Sequence, residues 1–255
     1  MQRTQRTVLT AVLLASAAAC ASAPPPPAEP VTSAESLLRA MHARYAGRWY
    51  RTLQFTQQTT RVIPGDSTVV ETWREWASFP GRLRIEIGPR EDGRGVLFAN
   101  DSMYVVREGR VADRLHERNP LLILGFDVYF QPPERTLEQL RAEHFDLEPF
   151  RADSLEGRPM YVFGAISRER NSREVWVDAE RLVFVRMIES TPAQNSRVAE
   201  TWFKGYERLA GGWIAPEVEV LVDGRRVFHE LYSDVRANVR VDSTYFDPDR
   251  WSEVR

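Results

Sequence analysis

Phe79-Pro80-Gly81-Arg82-Leu83-Arg84-Ile85-Glu86-Ile87 is the stretch that decides the fold. Pro80-Gly81 is a break, and strict alternation follows it. Leu83, Ile85 and Ile87 fall on one side of an extended chain, with Arg82, Arg84 and Glu86 on the other. Successive side chains of a strand point to opposite faces, so the stretch predicts a strand with one apolar and one solvated face. On this reading a charge placed at Ile85 is costly, and Arg84→Glu costs little.

The same pattern extends in both directions. Trp49 to Thr56 alternates roughly, with Leu53 and Phe55 on one face. Pro64-Gly65-Asp66 is a turn, and Val69 to Phe79 returns as a strand rich in Val, Thr and Trp. Val96 to Ala99 and Met103 to Arg107 form a hairpin turning at Asn100-Asp101. Further strands are expected over 147–152, 160–166, 174–178, 182–189, 198–206, 213–222 and 227–235. Turn signals fall at Glu156-Gly157, Gly211-Gly212 and Asp223-Gly224. Within 213–222, Ile214, Pro216, Val218, Val220 and Val222 share a face.

Two segments break the period of two. Ser33 is a helix N-cap followed by Leu37, Leu38, Met41 and Tyr45 at helical spacing, with Gly47 ending the segment. Between Pro120 and Phe145, Leu121 to Phe126 is short and apolar, and Thr136 to Glu143 reads as a short helix. The expectation is a mainly β (α+β) fold over residues 33–255 as a single domain. Its strongly curved antiparallel sheet forms an open β half-barrel covered by a few short helices. A sheet this long must twist and curl. Its apolar concave face needs a cover, which the first helix and the segment 121–143 supply. Leu121 to Phe126 then has two readings: a buried core element, or a movable lid in which Gly125 gives freedom to bend.

Residues 1–19 have the layout of a secretory signal: Arg3 and Arg6, an apolar run from Val8 to Ala15, then small residues. The run is shorter than the ~20 residues that a membrane-spanning helix needs. Cys20, the single cysteine, follows Ala17-Ala18-Ala19, and this resembles a bacterial lipoprotein signal whose cysteine is acylated. Such signals usually carry Leu where Ala17 stands. The alternative is ordinary cleavage after Ala23. Residues 20–32 contain Pro24-Pro25-Pro26-Pro27, a stiff linker of ~3.1 Å per residue that spaces a domain from a membrane. No Asp follows Cys20, which by the enterobacterial sorting rule favours the outer membrane. Both readings place the mature chain outside the cytoplasm, in the periplasm.

The net charge of −2 and the lack of a polybasic run argue against nucleic-acid binding. His42, His116, His144 and His229 are dispersed and make no zinc motif, and no metal or cofactor is expected. No Gly-x-Ser-x-Gly elbow or Gly-rich phosphate loop occurs, and acid pairs such as Glu91-Asp92 read as solvated turns. No enzymatic activity is expected.

Five short motifs recur in order along the chain: Phe55-Thr56-Gln57, Phe79 to Ile85, Ala99 to Val105, Asn119 to Leu124, and Tyr245-Phe246-Asp247-Pro248. Together they resemble the LolA/LolB-like carriers, the superfamily that includes outer-membrane lipoprotein-sorting proteins. The resemblance implies a half-barrel with helices plugging its mouth and a cavity for the acyl chains of a lipoprotein or another lipid. The family's transfer proteins place an Arg before the Pro of the second hairpin; Phe79 stands there in this chain, so their release mechanism does not carry over. The residues expected to form the cavity and lid are Leu53, Phe55, Leu83, Ile85, Ile87, Leu121, Leu122, Leu124, Phe126, Val218 and Val220. The alternative function is an envelope protein-interaction or sensor module, in which side chains fill the same core and the partner is another envelope protein.

The N-terminal reading has a direct check. Metabolic labelling with a fatty acid should mark the wild type and leave Cys20→Ser unmarked. An unlabelled mature chain beginning at Pro24 would establish ordinary secretion instead.

Overall fold

A computed structural model describes residues 30–191 and 197–254. The signal segment, Cys20 and the linker up to residue 29 lie outside the described residues. Helix α1 (Ala34–Tyr45) starts at Ser33. The Ser33 hydroxyl accepts from the Ser36 N–H at 3.1 Å, and the Ser36 hydroxyl accepts from the Ser33 N–H at 2.9 Å. This reciprocal cap satisfies two amides that a helix start leaves open. Leu37, Leu38, Met41 and Tyr45 are buried on one face of the helix.

Six strands follow: β1 (Thr52–Ile63), β2 (Ser67–Ser78), β3 (Arg82–Ile87), β4 (Gly95–Ala99), β5 (Ser102–Arg107) and β6 (Arg110–Leu115). Each pairs antiparallel with the next, so the chain steps outward from β1 to an edge at β6. Asn100 and Asp101, both at positive φ, make the β4–β5 turn, the geometry a two-residue hairpin prefers. After a crossover with α2 (Pro120–Gly125) and α3 (Pro133–Ala142), the chain resumes at β7 (Phe150–Leu155). It steps back through β8 (Arg158–Gly164), β9 (Ser172–Asp178), β10 (Val183–Thr191) and β11 (Arg197–Lys204). A small hairpin, β12 (Glu207–Leu209) and β13 (Gly212–Ile214), precedes β14 (Glu217–Val222) and β15 (Arg225–Ala237).

The order β6-β5-β4-β3-β2-β1-β15-β14-β11-β10-β9-β8-β7 makes one antiparallel, curved sheet of thirteen strands among the described residues. β1 and β15 meet at its centre, and the edges β6 and β7 are not bonded to each other, so the barrel stays open. The crossover from 116 to 149 must therefore run from one edge to the other. It does so beside α1 and packs into the main core with Leu53, Phe55, Phe163, Val177, Phe184 and Val218. Gly125 is buried against Phe203; a Cβ there would lie 3.3 Å from the ring, so close approach explains this glycine.

Two expectations need correction. The stretch 213–222 is not one strand, because Pro216 has no N–H for a ladder and the pairing breaks there. β13 pairs with β12, and only β14 rejoins the main sheet. The second correction concerns the charged face of β3. The alternation is right, but Arg84 is 1% exposed, and Glu86 is also buried. The segment 243–254 folds as two 3₁₀ turns, Ser243–Phe246 and Pro248–Glu253, over the convex face of β3 to β5. Phe246 and Trp251 pack there with Trp76, Leu97, Tyr104 and Val106. The Arg84 guanidinium lies 3.6 Å over the Trp251 ring, donates to Glu86 at 2.9 Å and donates to the Trp251 carbonyl at 3.0 Å. Gly95 makes room for this: a Cβ there would lie 2.5 Å from the Trp251 ring. The half-buried residues of β3 are Leu83, Ile85 and Ile87 instead.

Breaking a buried ion pair costs ~3–5 kcal/mol because one charge is stranded. Arg84→Glu should therefore destabilise by about that much, where alternation alone predicted little effect. Chemical denaturation of the variant, compared with Arg82→Glu at the exposed start of the same strand, checks this.

Candidate functional site

Between α2 and the middle of the sheet lies a cavity of about 100 Å³. Its floor comes from neighbouring strands: Leu53 and Phe55 of β1, Ala77 of β2, Leu83 and Ile85 of β3, and Val218 of β14. Leu121 and Leu122 of α2, with Phe126 just beyond it, form the roof. Asn119 sets the roof's position. Its side-chain oxygen caps α2 by accepting from the Leu121 N–H at 2.9 Å and the Leu122 N–H at 3.3 Å. Pro120 fits the first turn because no N–H is needed there.

Eight of the expected residues thus line one cavity: Leu53, Phe55, Leu83, Ile85, Leu121, Leu122, Phe126 and Val218. Three do not. Leu124 is fully buried in the main core. Ile87 lies further along β3, opposite Trp73, and Val220 lies between Phe228 and Thr201 on the neighbouring strands.

Phe79 stands beneath the roof. Its ring stacks on Phe126 at 4.8 Å and 3° and on Phe130 at 5.8 Å. Where the resemblance led one to look for an arginine, the roof is held by stacked rings. One polar pin accompanies them. The Asp127 carboxylate accepts from the Gly81 N–H at 2.9 Å, tying the roof to the β2–β3 turn. Burial pushes the Asp127 carboxyl up to about 7, against the lowering effect of that hydrogen bond.

The cavity also holds groups that the sequence reading did not single out. Glu75 of β2 and Glu230 of β15 line it with Tyr232. Glu75 is 6% exposed, with Phe55 and Ile85 directly across the ladder on either side. Val218 is opposite Glu230. Glu230 accepts from Gln57 Nε2 at 2.9 Å and from the Tyr232 hydroxyl at 3.1 Å. Burial pushes the Glu230 carboxyl up to about 7, and those two hydrogen bonds oppose the shift. Burial and then the like charge of Glu230 push Glu75 well above the usual carboxylate range, and nothing lowers it. A signal was present in the sequence. Glu75 shares phase with Trp73 and Ala77, and Glu230 with Phe228 and Tyr232. An acid in the apolar phase of a strand marks a buried ionisable group.

Among the described residues no group of three His, Cys, Asp or Glu is placed to hold a metal ion. No helix among them is long and apolar enough to cross a membrane.

No protein-family model matches the sequence, and no curated protein is similar to it. Solved structures are similar in fold. A DUF1329 family protein from Desulfovibrio piger aligns with 86% of this chain and 98% of its own, with a TM-score of 0.57 at 13% identity. A LolA superfamily protein from Nitrosomonas europaea covers 84% of this chain and 97% of its own, with a TM-score of 0.52 at 13% identity. A domain from Vibrio parahaemolyticus, named as an outer membrane lipoprotein-sorting protein, covers 84% of this chain and 95% of its own, with the same TM-score and identity. The chain has the open half-barrel fold of LolA-type proteins.

The buried acids set a pH dependence whose sign is unusual for carboxylates. Asp127 and Glu230 have folded-state values above the ordinary range, as does Glu75. The folded state therefore binds more protons than the unfolded chain between about pH 4 and pH 7, and stability falls as pH rises through that window. Surface acids act elsewhere. Asp101, held low by the Arg118 hydrogen bond, and Asp223, held low by the Val198 amide, lose their contribution only as pH falls towards and below the ordinary value. Between pH 5 and 8 the melting temperature should drop by several degrees, at ~2–4 °C per kcal/mol for a chain of this size. The double variant Glu75→Gln/Glu230→Gln should flatten most of the drop. A melting temperature that rises over this interval would show that the acids are not buried.

Proposed function

We propose that the protein is a non-enzymatic carrier or acceptor for acyl chains in the bacterial cell envelope. On this reading it works in the periplasm, anchored to the outer membrane through an acylated Cys20. The observation that carries the proposal is the one-sided apolar cavity between the curved sheet and α2. An acyl chain loses ~0.8 kcal/mol per CH₂ on moving from apolar surroundings into water. A protein can move one through an aqueous compartment by offering similar apolar surface, and the sheet floor offers it without a catalytic group. The fold shared with lipoprotein-sorting proteins supports the same reading.

The cavity volume fixes how the carrier must work. At about 100 Å³ it falls short of the ~300–1,000 Å³ typical of pockets that enclose a drug-sized ligand. A full acyl chain enters only if α2 moves away. α2 is six residues long, and its hold on the sheet is largely ring stacking and aliphatic contact. An entering chain replaces those apolar contacts with its own, so opening exchanges like for like.

The purified protein, stripped of lipid, should bind an apolar fluorophore at one site per chain, and a fatty acid should displace it. Leu121 is only half-buried, so Leu121→Asp should leave the melting temperature nearly unchanged. The charge on the cavity roof should still weaken binding about tenfold or more. An intact fold that no acyl compound can occupy would refute the carrier reading.

A further inference from the structure

The apolar cavity has a polar end that an acyl chain alone does not explain. Three acceptor groups share the inner face of β2, β1 and β15: the Glu75 carboxyl, the Glu230 carboxyl and the Gln57 carbonyl. Gln57 is fully buried. Its amide nitrogen is committed to Thr59 at 3.0 Å and Glu230 at 2.9 Å, and its carbonyl oxygen has no partner. Glu75 lines the cavity with neither a cation nor a hydrogen-bond donor against it among the described residues. No Lys, Arg or His lines the cavity among those residues either.

Burying a carboxyl among Phe55, Ile85 and Val218 without a partner is costly, and such groups are kept where they meet something. What would satisfy this set is a ligand that brings donors. The chemistry narrows it further. Ca²⁺ or Mg²⁺ would need several waters to complete its six or more positions, and the apolar walls Phe55, Ile85 and Val218 offer those waters no partners. A carboxylate or phosphate headgroup would stand against two acids. A primary ammonium has three donors, enough to meet both carboxyls, and a charge opposite to theirs.

We infer that the cavity selects an amphiphile whose chain lies under α2 and whose polar end is a primary amine, seated on the Glu75 and Glu230 carboxyls. The inference rests on the carrier reading and names the ligand class of the same site. With the cavity empty, burial and the like charge of Glu230 favour a proton on Glu75. An incoming ammonium takes its place, and the proton leaves to solvent.

The test uses the full-length protein and three probes with the same chain: octylamine, octanol and octanoate. Isothermal titration at pH 7.5, in two buffers of different ionisation enthalpy, reads affinity and proton release together. Octylamine should bind about tenfold or more tighter than octanoate, the effect of one charge-assisted hydrogen bond, and should release a proton. In Glu75→Gln/Glu230→Gln that preference should vanish, while octanol still binds. The Gln side chains are isosteric and remove buried charge, so the variant is expected to fold, and its melting curve verifies this. Octanoate binding as tightly as octylamine, or an amine preference that survives in the variant, overturns the inference. Octanol binding without amine preference sinks this inference and leaves the carrier reading standing; no binding by any of the three sinks both.

Discussion

Pairing the first strand with the last at the centre of the sheet is the constraint on which the rest depends. β1 lies beside β15, and the register runs from Leu53 opposite Ala237 to Arg61 opposite Phe228. Antiparallel neighbours joined by short turns can only walk outward, so the chain reaches an edge at β6 with half of the sheet unbuilt. The other half must start at the far edge and walk back. The connection between the edges has to cross the concave face, where it meets apolar side chains and must be helical to satisfy its own backbone. A lid over the cavity is thus a consequence of the topology, with no separate device needed to place it.

The same constraint explains what was legible in the sequence. Strand alternation is local, and Leu83-x-Ile85-x-Ile87 is visible in five residues. The Asn100-Asp101 turn and the Ser33 cap are local too. Burial of the second face is not. Arg84 and Glu86 look solvated because nothing near them in the chain says otherwise; their cover arrives from Trp251, more than 160 residues later. A guanidinium stacked on an indole and bonded to a carboxylate is a charge that the interior accepts, and no period reveals it. Pro216 carried a local signal, loss of a ladder donor, which the alternation of Ile214, Val218 and Val220 masked.

The cavity residues follow the same division. Leu53, Phe55, Leu83, Ile85 and Val218 meet because they sit at matching heights on nearby strands of one curved sheet, and phase alone places them on one face. Height along the strand is set by register, which the sequence does not display, and it separates Ile87 and Val220 from the others. Glu75 and Glu230 are the informative exceptions. Each obeys the strand period and breaks the polarity that the period implies. A sequence is consistent across levels where it serves folding alone, and departs from that where something else is required of it.

The roof brings these strands together. Had an arginine stood at position 79 and paired with an acid on the lid, opening would strand two charges, at ~3–5 kcal/mol. Stacked rings contribute ~0.5–1.5 kcal/mol per pair beyond their buried area, and another apolar surface replaces that area without loss. Phe79, Phe126 and Phe130 therefore make a closure whose strength depends on what else fills the space beneath it. Asp127 adds a polar contact that an acyl chain cannot substitute, as does the Tyr129 hydroxyl, which donates to the Leu182 carbonyl at 3.3 Å. The Asp127 carboxyl, raised to about 7 by burial, gives the Gly81 amide its strongest acceptor only when ionised, and ionisation is what the site disfavours. The pin is thus held weak by its own surroundings. On the proposed carrier reading, a lid closed mainly by apolar contact, with a weak polar pin, stays shut in water and yields to a hydrocarbon chain.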